Sequence, residues 1–478
     1  MRSIFQILCF ICIGSSLWSS TITATTHKSF VGKTVNLIQY TDYITYGYEV
    51  IATTEVNEKQ QFSFNTSNTT AEQYVIQIED LVGNIYVDPN TSYNIYFSPV
   101  SVDGVYKMTR NEVDILFDTL VSSDINRQII DCDIMIDEFL YKNKNSIGTP
   151  QFKKSLDTLK KKASETFGGI DKILLQNYVK YSIGNFDLIA LSDDQQINRL
   201  YNYQTYIHNH PVQLRDQAFM TYFNKFYDKT LSTLDKNHEY ALLDAASSGN
   251  YTKLDTTLRQ DFYCKRKSVR ELVIVSNIFE LYHDERLYKK GARAILDSVI
   301  SRGSSDEIKE AAKQVKYQLT KTDKGSVAYD FSLPNQNNKQ VKLSDFKGKY
   351  VYINFWATWS NDAMAEMALF KRFEEEYGKH IEFVSINIDS KKQTFDNYIA
   401  SNPNNKWHML YYGGDVNLLE TYEVTSIPHY VLIDPEGKII ESPAQRPATS
   451  RANYVSIDKT FFEINKKLTK RKRFQIGR

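Results

Sequence analysis

The most constraining stretch of this chain runs from Tyr350 to Ala363. Tyr350-Val351-Tyr352-Ile353 is an aromatic and β-branched run of the kind that forms a buried strand. Asn354-Phe355-Trp356-Ala357-Thr358-Trp359 follows, and Ser360-Asn361-Asp362-Ala363 opens a helical pattern carried by Met364, Met367, Ala368 and Phe370 to Phe373. Ser360 reads as an N-cap, its hydroxyl accepting from a free backbone N–H of the first turn. Asp362 falls in that turn, where the helix's partial positive charge favours a carboxylate. A strand that turns directly into a helix packed on it belongs to an alternating β/α fold.

Residues 326–470 supply the rest of such a fold. Ala328 to Leu333 is followed by Val341-Lys342-Leu343-Ser344-Asp345-Phe346-Lys347-Gly348-Lys349. Ile381 to Asp389 reads as a second central strand, Lys392 to Ala400 as a helical insert, and Asn417 to Tyr422 as a short helix. Ser426-Ile427-Pro428-His429 leads into the strand Tyr430 to Asp434, and Pro435-Glu436-Gly437-Lys438 turns it into Ile439-Ile440. A closing helix is expected to end near Leu468, leaving residues 471–478 as a basic, solvated tail that begins beside Lys470-Arg471-Lys472-Arg473.

The preceding chain divides in two. Residues 27–108 read as a small β-sandwich of short strands: Val35 to Tyr40, Glu55-Val56 turning through Asn57-Glu58-Lys59-Gln60 into Phe62-Ser63-Phe64, Tyr74 to Ile78, Ile85 to Val87 and Tyr93 to Phe97. From 109 to 322 the spacing becomes helical. Val113, Leu116, Phe117 and Leu120 fall on one face, as do Leu272, Val275, Phe279 and Tyr282. Roughly six to eight helices are expected, the last opened by a capping box at Ser304 and Glu307. Lys153, Lys154, Lys160, Lys161 and Lys162 mark an exposed helix face. His208 and His210 lack a third ligand nearby, so no metal site is assigned and a solvated loop is expected there.

Residues 1–24 read as a secretory leader: Arg2, the apolar run Ile4 to Ile13, then small residues ending near Ala24. The run is too short to span a bilayer, and Cys9 and Cys12 within it lack the context of a lipidated cysteine. An exported protein of the bacterial periplasm is expected, with no transmembrane segment after cleavage. A net charge of +1 gives no electrostatic case for a nucleic-acid partner. Two cysteines follow the leader, Cys132 and Cys264, which either pair or stay as buried thiols.

Taken together, Leu343 to Lys349, Asn354 to Trp359, Ile427-Pro428 and Ile433-Asp434-Pro435-Glu436-Gly437-Lys438 resemble the TlpA/ResA-type branch of the thioredoxin-like proteins. The resemblance covers residues 326–470 and implies thiol–disulfide exchange by a Cys-x-x-Cys pair after the tryptophan, with no cofactor. Here those two positions read Ser360 and Ala363. A hydroxyl forms no disulfide and a methyl group resolves none, so the resemblance implies the scaffold of an oxidoreductase without its dithiol. Asn354 stands where ordinary thioredoxin has a buried acid, and an asparagine there is common in this branch. Pro428 matches the family's cis-proline. The resemblance further implies that Trp356, Trp359, Ile427 and Pro428 border a groove for an extended polypeptide, held by strand-like backbone pairing.

Two functional readings stay open on the sequence. One is a redox-inactive polypeptide-binding or scaffold protein of the cell envelope. The other is a thiol–disulfide oxidoreductase that uses Cys132 or Cys264. Ser360 acting as a nucleophile would need a positioned base, for which His429 is the one candidate. A peroxidase of the related AhpC type is excluded, because residues 326–478 contain no cysteine.

Overall fold

The computed structural model describes residues 19–97, 110–190, 195–233, 236–448 and 456–476, with side chains described as far as residue 469 except at 232–240. The leader features Arg2, Ile4 to Ile13, Cys9 and Cys12 lie outside the described residues. The chain forms two compact units, one of residues 1–78, 82–100 and 113–228, the other of 79–81, 101–112 and 229–478. The helical stretch is therefore shared between them.

Nine strands form two sheets among the described residues of the N-terminal part: β1 (Ser20–Thr26), β2 (Thr34–Tyr40), β3 (Tyr48–Glu55), β4 (Gln61–Thr66), β5 (Glu72–Ile78), β6 (Leu81–Val87), β7 (Ser92–Phe97), β8 (Asn111–Glu112) and β9 (Ile115–Phe117). Their orders are β4-β1-β7-β9 and β3-β2-β5-β6-β8. Strict alternation along β4 buries Phe62, Phe64 and Thr66, the pattern of a strand with one face on a core. Gly83 marks where the sheets meet: a Cβ there would lie 2.9 Å from Ile115 and 3.0 Å from Phe97. The turn at Asn57–Gln60 forms as expected, with Gln60 N–H bonded to the Asn57 carbonyl at 2.8 Å. The strands it joins do not pair as a hairpin, because β3 and β4 belong to different sheets.

Two boundaries move. The expected leader end at Ala24 falls inside β1, which pairs with β4 and β7 and buries Ile22 and Ala24 completely. The expected helix through Val113, Leu116, Phe117 and Leu120 is replaced by β9, whose Ile115, Leu116 and Phe117 pair with β7. Eight residues are too few for a 3.6-residue period to be told from chance, and the open edge of β7 takes this segment as a strand.

Helices begin at α1 (Ile125–Asn143), followed by α2 (Pro150–Phe167), α3 (Ile173–Asp187), α4 (Gln195–Tyr203) and α5 (Gln217–Phe226). A π turn, Gln204–His208, continues α4. In the second unit come α6 (Thr230–Thr233), α7 (Lys236–Ser248), α8 (Tyr251–Leu258), α9 (Lys267–Leu281), α10 (Lys289–Arg302) and α11 (Asp306–Thr320). These eleven exceed the six to eight expected, since breaks such as Gly249, at φ +74°, and the N-cap Asn250 divide apparent long helices. Helix α9 buries residues on every side, Leu272 and Val275 among them, with Phe279 half-buried and Tyr282, which caps its C-terminus, also buried. The cap of α11 is Ser305, whose hydroxyl accepts from Ile308 N–H. Ser304 instead donates its N–H and hydroxyl to buried Glu271. Lys153, Lys154, Lys161 and Lys162 are exposed, whereas Lys160 pairs with Asp187 at 2.6 Å.

The α/β part opens on the hairpin β10 (Ser332–Pro334) and β11 (Gln340–Lys342). It continues through β12 (Tyr350–Trp356), α12 (Asn361–Tyr377), β13 (Ile381–Asn387), α13 (Lys392–Ser401), β14 (His408–Tyr411), α14 (Val416–Thr421), β15 (His429–Ile433), β16 (Ile439–Glu441) and α15 (Ile457–Ile476). The sheet order is β14-β13-β12-β15-β16, with β12, β13 and β14 parallel and β15 antiparallel to β12. Tyr352 is the centre of an aromatic core, stacked on Tyr430 at 5.3 Å and met edge-on by Phe461 at 5.0 Å. The expected tail is absent as such, because α15 continues through Lys470–Arg473 to Ile476.

Candidate functional site

The site forms where β12 ends and α12 begins. Ser360 caps α12, its Oγ accepting from Ala363 N–H at 3.4 Å, and its own N–H donates to the Ala357 carbonyl. Asp362 lies in the first turn as expected. The loop is fastened from the neighbouring strand: Thr358 donates its N–H and hydroxyl to buried Asp389, at 3.1 and 3.0 Å. Asn387 holds the same carboxylate at 2.7 Å. Sequence reasoning missed this anchor, because Asp389 is 31 residues away and reads there as the end of a strand.

The four groove residues separate. Trp359 is 54% exposed, and Ile427 and Pro428 are half-buried across a cis peptide. Trp356 is fully buried with its ring 4.6 Å from Tyr398 of α13, so it supports the loop from below and does not border a groove. Ala363 is also fully buried. The cause is topological: β12 is the central strand, so its last residue is covered by a helix that sequence periodicity could not place over it.

His429 opens β15 with its ring 5.9 Å from Phe355. Burial pulls its imidazole down to about 4, so it is neutral near pH 7, and its Nε2 has no hydrogen-bond partner among the described residues. No hydrogen bond joins it to Ser360, whose Oγ is occupied as the helix cap. The arrangement lacks the nucleophile–base contact that an activated serine requires.

Beneath the cap lies a buried polar cluster that sequence reasoning also missed. Asn354 is fully buried and donates only to the Met367 sulfur, at 3.4 Å. Glu366, one helical turn after Ala363, accepts from Tyr430 Oη and from Arg446 Nε, the latter at 2.9 Å. Burial, reinforced by that carboxylate, raises the Tyr430 phenol far above its ordinary range. A charge facing the sheet one turn into a covered helix was the available signal, since burying it without a partner is costly. Arg446 also reaches Asp362 at 3.6 Å and so ties the first turn of α12 to the segment after β16.

The remaining candidates lie elsewhere. Cys132, in α1, and Cys264, in a 3-10 turn, are both fully buried and are not joined in a disulfide. Burial first, then Asp133, pushes the Cys132 thiol up to about 12. His208 Nδ1 lies 3.4 Å from Tyr203 Oη, and His210 Nε2 contacts Lys180 and the Thr205 carbonyl.

A five-stranded sheet with three parallel strands, a capped helix leaving its central strand β12 and a cis-proline before the neighbouring antiparallel strand β15 define a thioredoxin-like site. The sequence model of the family described as Thioredoxin-like matches residues 348–439. The thiol-disulfide oxidoreductase ResA of Bacillus subtilis is 33% identical over 118 residues, which cover 24% of this chain and 65% of that protein. The ResA of Bacillus thuringiensis subsp. konkukian is 30% identical over 127 residues, 26% of this chain and 72% of that protein. The thioredoxin domain of a Bacteroides vulgatus thiol-disulfide oxidoreductase aligns at 30% identity over 25% of this chain and 86% of that one, with a TM-score of 0.23. The chain belongs to the thioredoxin-like, ResA-type family of thiol–disulfide oxidoreductases.

Proposed function

We propose that this chain is an exported, redox-inactive thioredoxin-like protein of the cell envelope that holds an extended polypeptide beside Trp359, Ile427 and Pro428. One observation carries the reading: the site keeps its helix cap, its cis-proline and an exposed tryptophan, while positions 360 and 363 carry a hydroxyl and a methyl group. Backbone pairing to a strand-like peptide needs no sulfur, whereas disulfide exchange does. The polypeptide is either free and unfolded or a segment of a neighbouring envelope protein. The leader-like pattern of Arg2 followed by the apolar run Ile4 to Ile13 supports export, and no described helix is long and apolar enough to cross a membrane.

The competing reading, exchange through Cys132 or Cys264, has no supporting geometry. Attack needs an accessible thiolate, and both sulfurs are buried, Cys132 with its thiol pushed up to about 12. An insulin-reduction assay separates the two. The wild-type chain is expected to be inactive and the Ser360→Cys, Ala363→Cys double variant active. Turnover by wild type that disappears on replacing Cys132 or Cys264 would reverse the assignment.

A further inference from the structure

Away from the thioredoxin-like site, one lysine is held unlike a surface lysine. Lys180, on α3, places Nζ 2.6 Å from His210 Nε2, 5.3 Å from the Tyr181 ring centre and 5.8 Å from that of Tyr206. These are the groups that contact it among the described residues, from its own helix, from the π turn and from the loop beyond, and none is a carboxylate. Burial pulls the ammonium down to about 8.

The hydrogen bonding of His210 favours the neutral amine independently. Its Nε2 also lies 3.1 Å from the Thr205 carbonyl. A single ring nitrogen either carries a proton or accepts one. Against an ammonium it must be bare, and the Thr205 oxygen then faces a lone pair. Carrying its proton, it serves both the carbonyl and the lone pair of an uncharged Lys180.

The surrounding chain is built to hold this geometry. The π turn inserts its extra residue between Tyr203 and Asn209, a type of irregularity concentrated at functional positions. Tyr206 is fixed by its hydroxyl to Asp187 at 2.6 Å, and Gly184 lets its ring approach α3. A Cβ at Gly184 would lie 2.7 Å from that ring.

We propose that Lys180 is a nucleophilic amine that forms a Schiff base with a small aldehyde or ketone, with His210 moving the proton. The Lys180 lone pair attacks the carbonyl carbon, forming the C–N bond as the C=O π pair moves to oxygen. His210 Nε2–H protonates that oxygen and recovers a proton from the nitrogen, giving a carbinolamine. Loss of the hydroxyl as water, with the second nitrogen proton, leaves the imine. No oxidant or reductant takes part. Neutral, desolvated lysines are the ones that do this chemistry.

The test uses the full chain with benzaldehyde as the probe, traps imines with cyanoborohydride near pH 7 and maps modified lysines by peptide mass spectrometry. Lys180 is expected to label about tenfold faster or more than exposed Lys153 and Lys161, with its rate rising to half-maximum near pH 8. Guanidinium is expected to erase the difference, and His210→Gln to slow Lys180 without changing Lys153. Labelling of Lys180 no faster than Lys153 in the native wild-type chain, or an advantage that survives unfolding, would overturn the proposal.

Discussion

His429 and Glu382 respond to acid in adjoining pH windows. Burial lowers the imidazole from 6.5 to about 4, so between those values the unfolded chain binds a proton that the folded chain refuses. Stability is therefore expected to fall as pH drops from 6.5 towards 4 and to lose nothing further to this group below that. His429→Phe, which keeps an aromatic ring beside Phe355, should flatten that part of the curve in urea unfolding measured at several pH values. Glu382 works in the lower window. Its hydrogen bond from His408, with Lys349 on its other oxygen, holds the carboxyl at about 2 against an ordinary 4.5. Its contribution is complete above 4.5 and is lost as pH falls towards 2. Glu382→Gln should remove that acid-side loss. Both side chains were present in the sequence, yet only local roles were legible there. Ser360 is legible as an N-cap because the bond it makes spans only Ser360 to Ala363. The burial of Trp356 depends on Tyr398, and the cluster at Glu366 on Tyr430 and Arg446, contacts that no local pattern reports.

Strand β1 shows why element boundaries were harder to read than element types. Its residues Ser20 to Thr26 are small and polar enough to resemble the end of a leader, but Ile22 and Ala24 face a core that only β4 and β7 create. A chain starting at Thr25 loses five residues of the ladder to β4, including the buried Ser20, Ile22 and Ala24. Burial of Ile22 alone is worth about 1.5–3 kcal/mol. Compared with a chain starting at Ser19, it is expected to melt several degrees lower by circular dichroism; equal melting would mean that β1 contributes nothing to stability. The same dependence on distant partners turned an apparent helical stripe near Leu116 into β9. By contrast, β12, α12, β13 and β15 were legible because each is long, strongly apolar and bounded by its own turn or cap. Strand β14 was not, since His408–Tyr411 is four residues that become a strand only beside β13.

At the scale of the whole chain, each compact unit carries one buried cysteine among the described residues, Cys132 in the first and Cys264 in the second. Neither sulfur can take part in exchange unless its own unit opens, so thiol accessibility connects stability to the functional assignment. With a maleimide under native conditions, peptides containing Cys132 and Cys264 are expected to stay unlabelled for as long as the folded state persists. Across a guanidinium series each should become reactive as its unit unfolds. A cavity at Val275, fully buried in α9, should cost about 1–3 kcal/mol and bring Cys264 labelling to a lower denaturant concentration. Rapid native labelling of either cysteine would remove the physical objection to a redox role. Protection of both, with insulin reduction appearing only after cysteines are placed at 360 and 363, would locate the missing chemistry in two side chains of an intact scaffold.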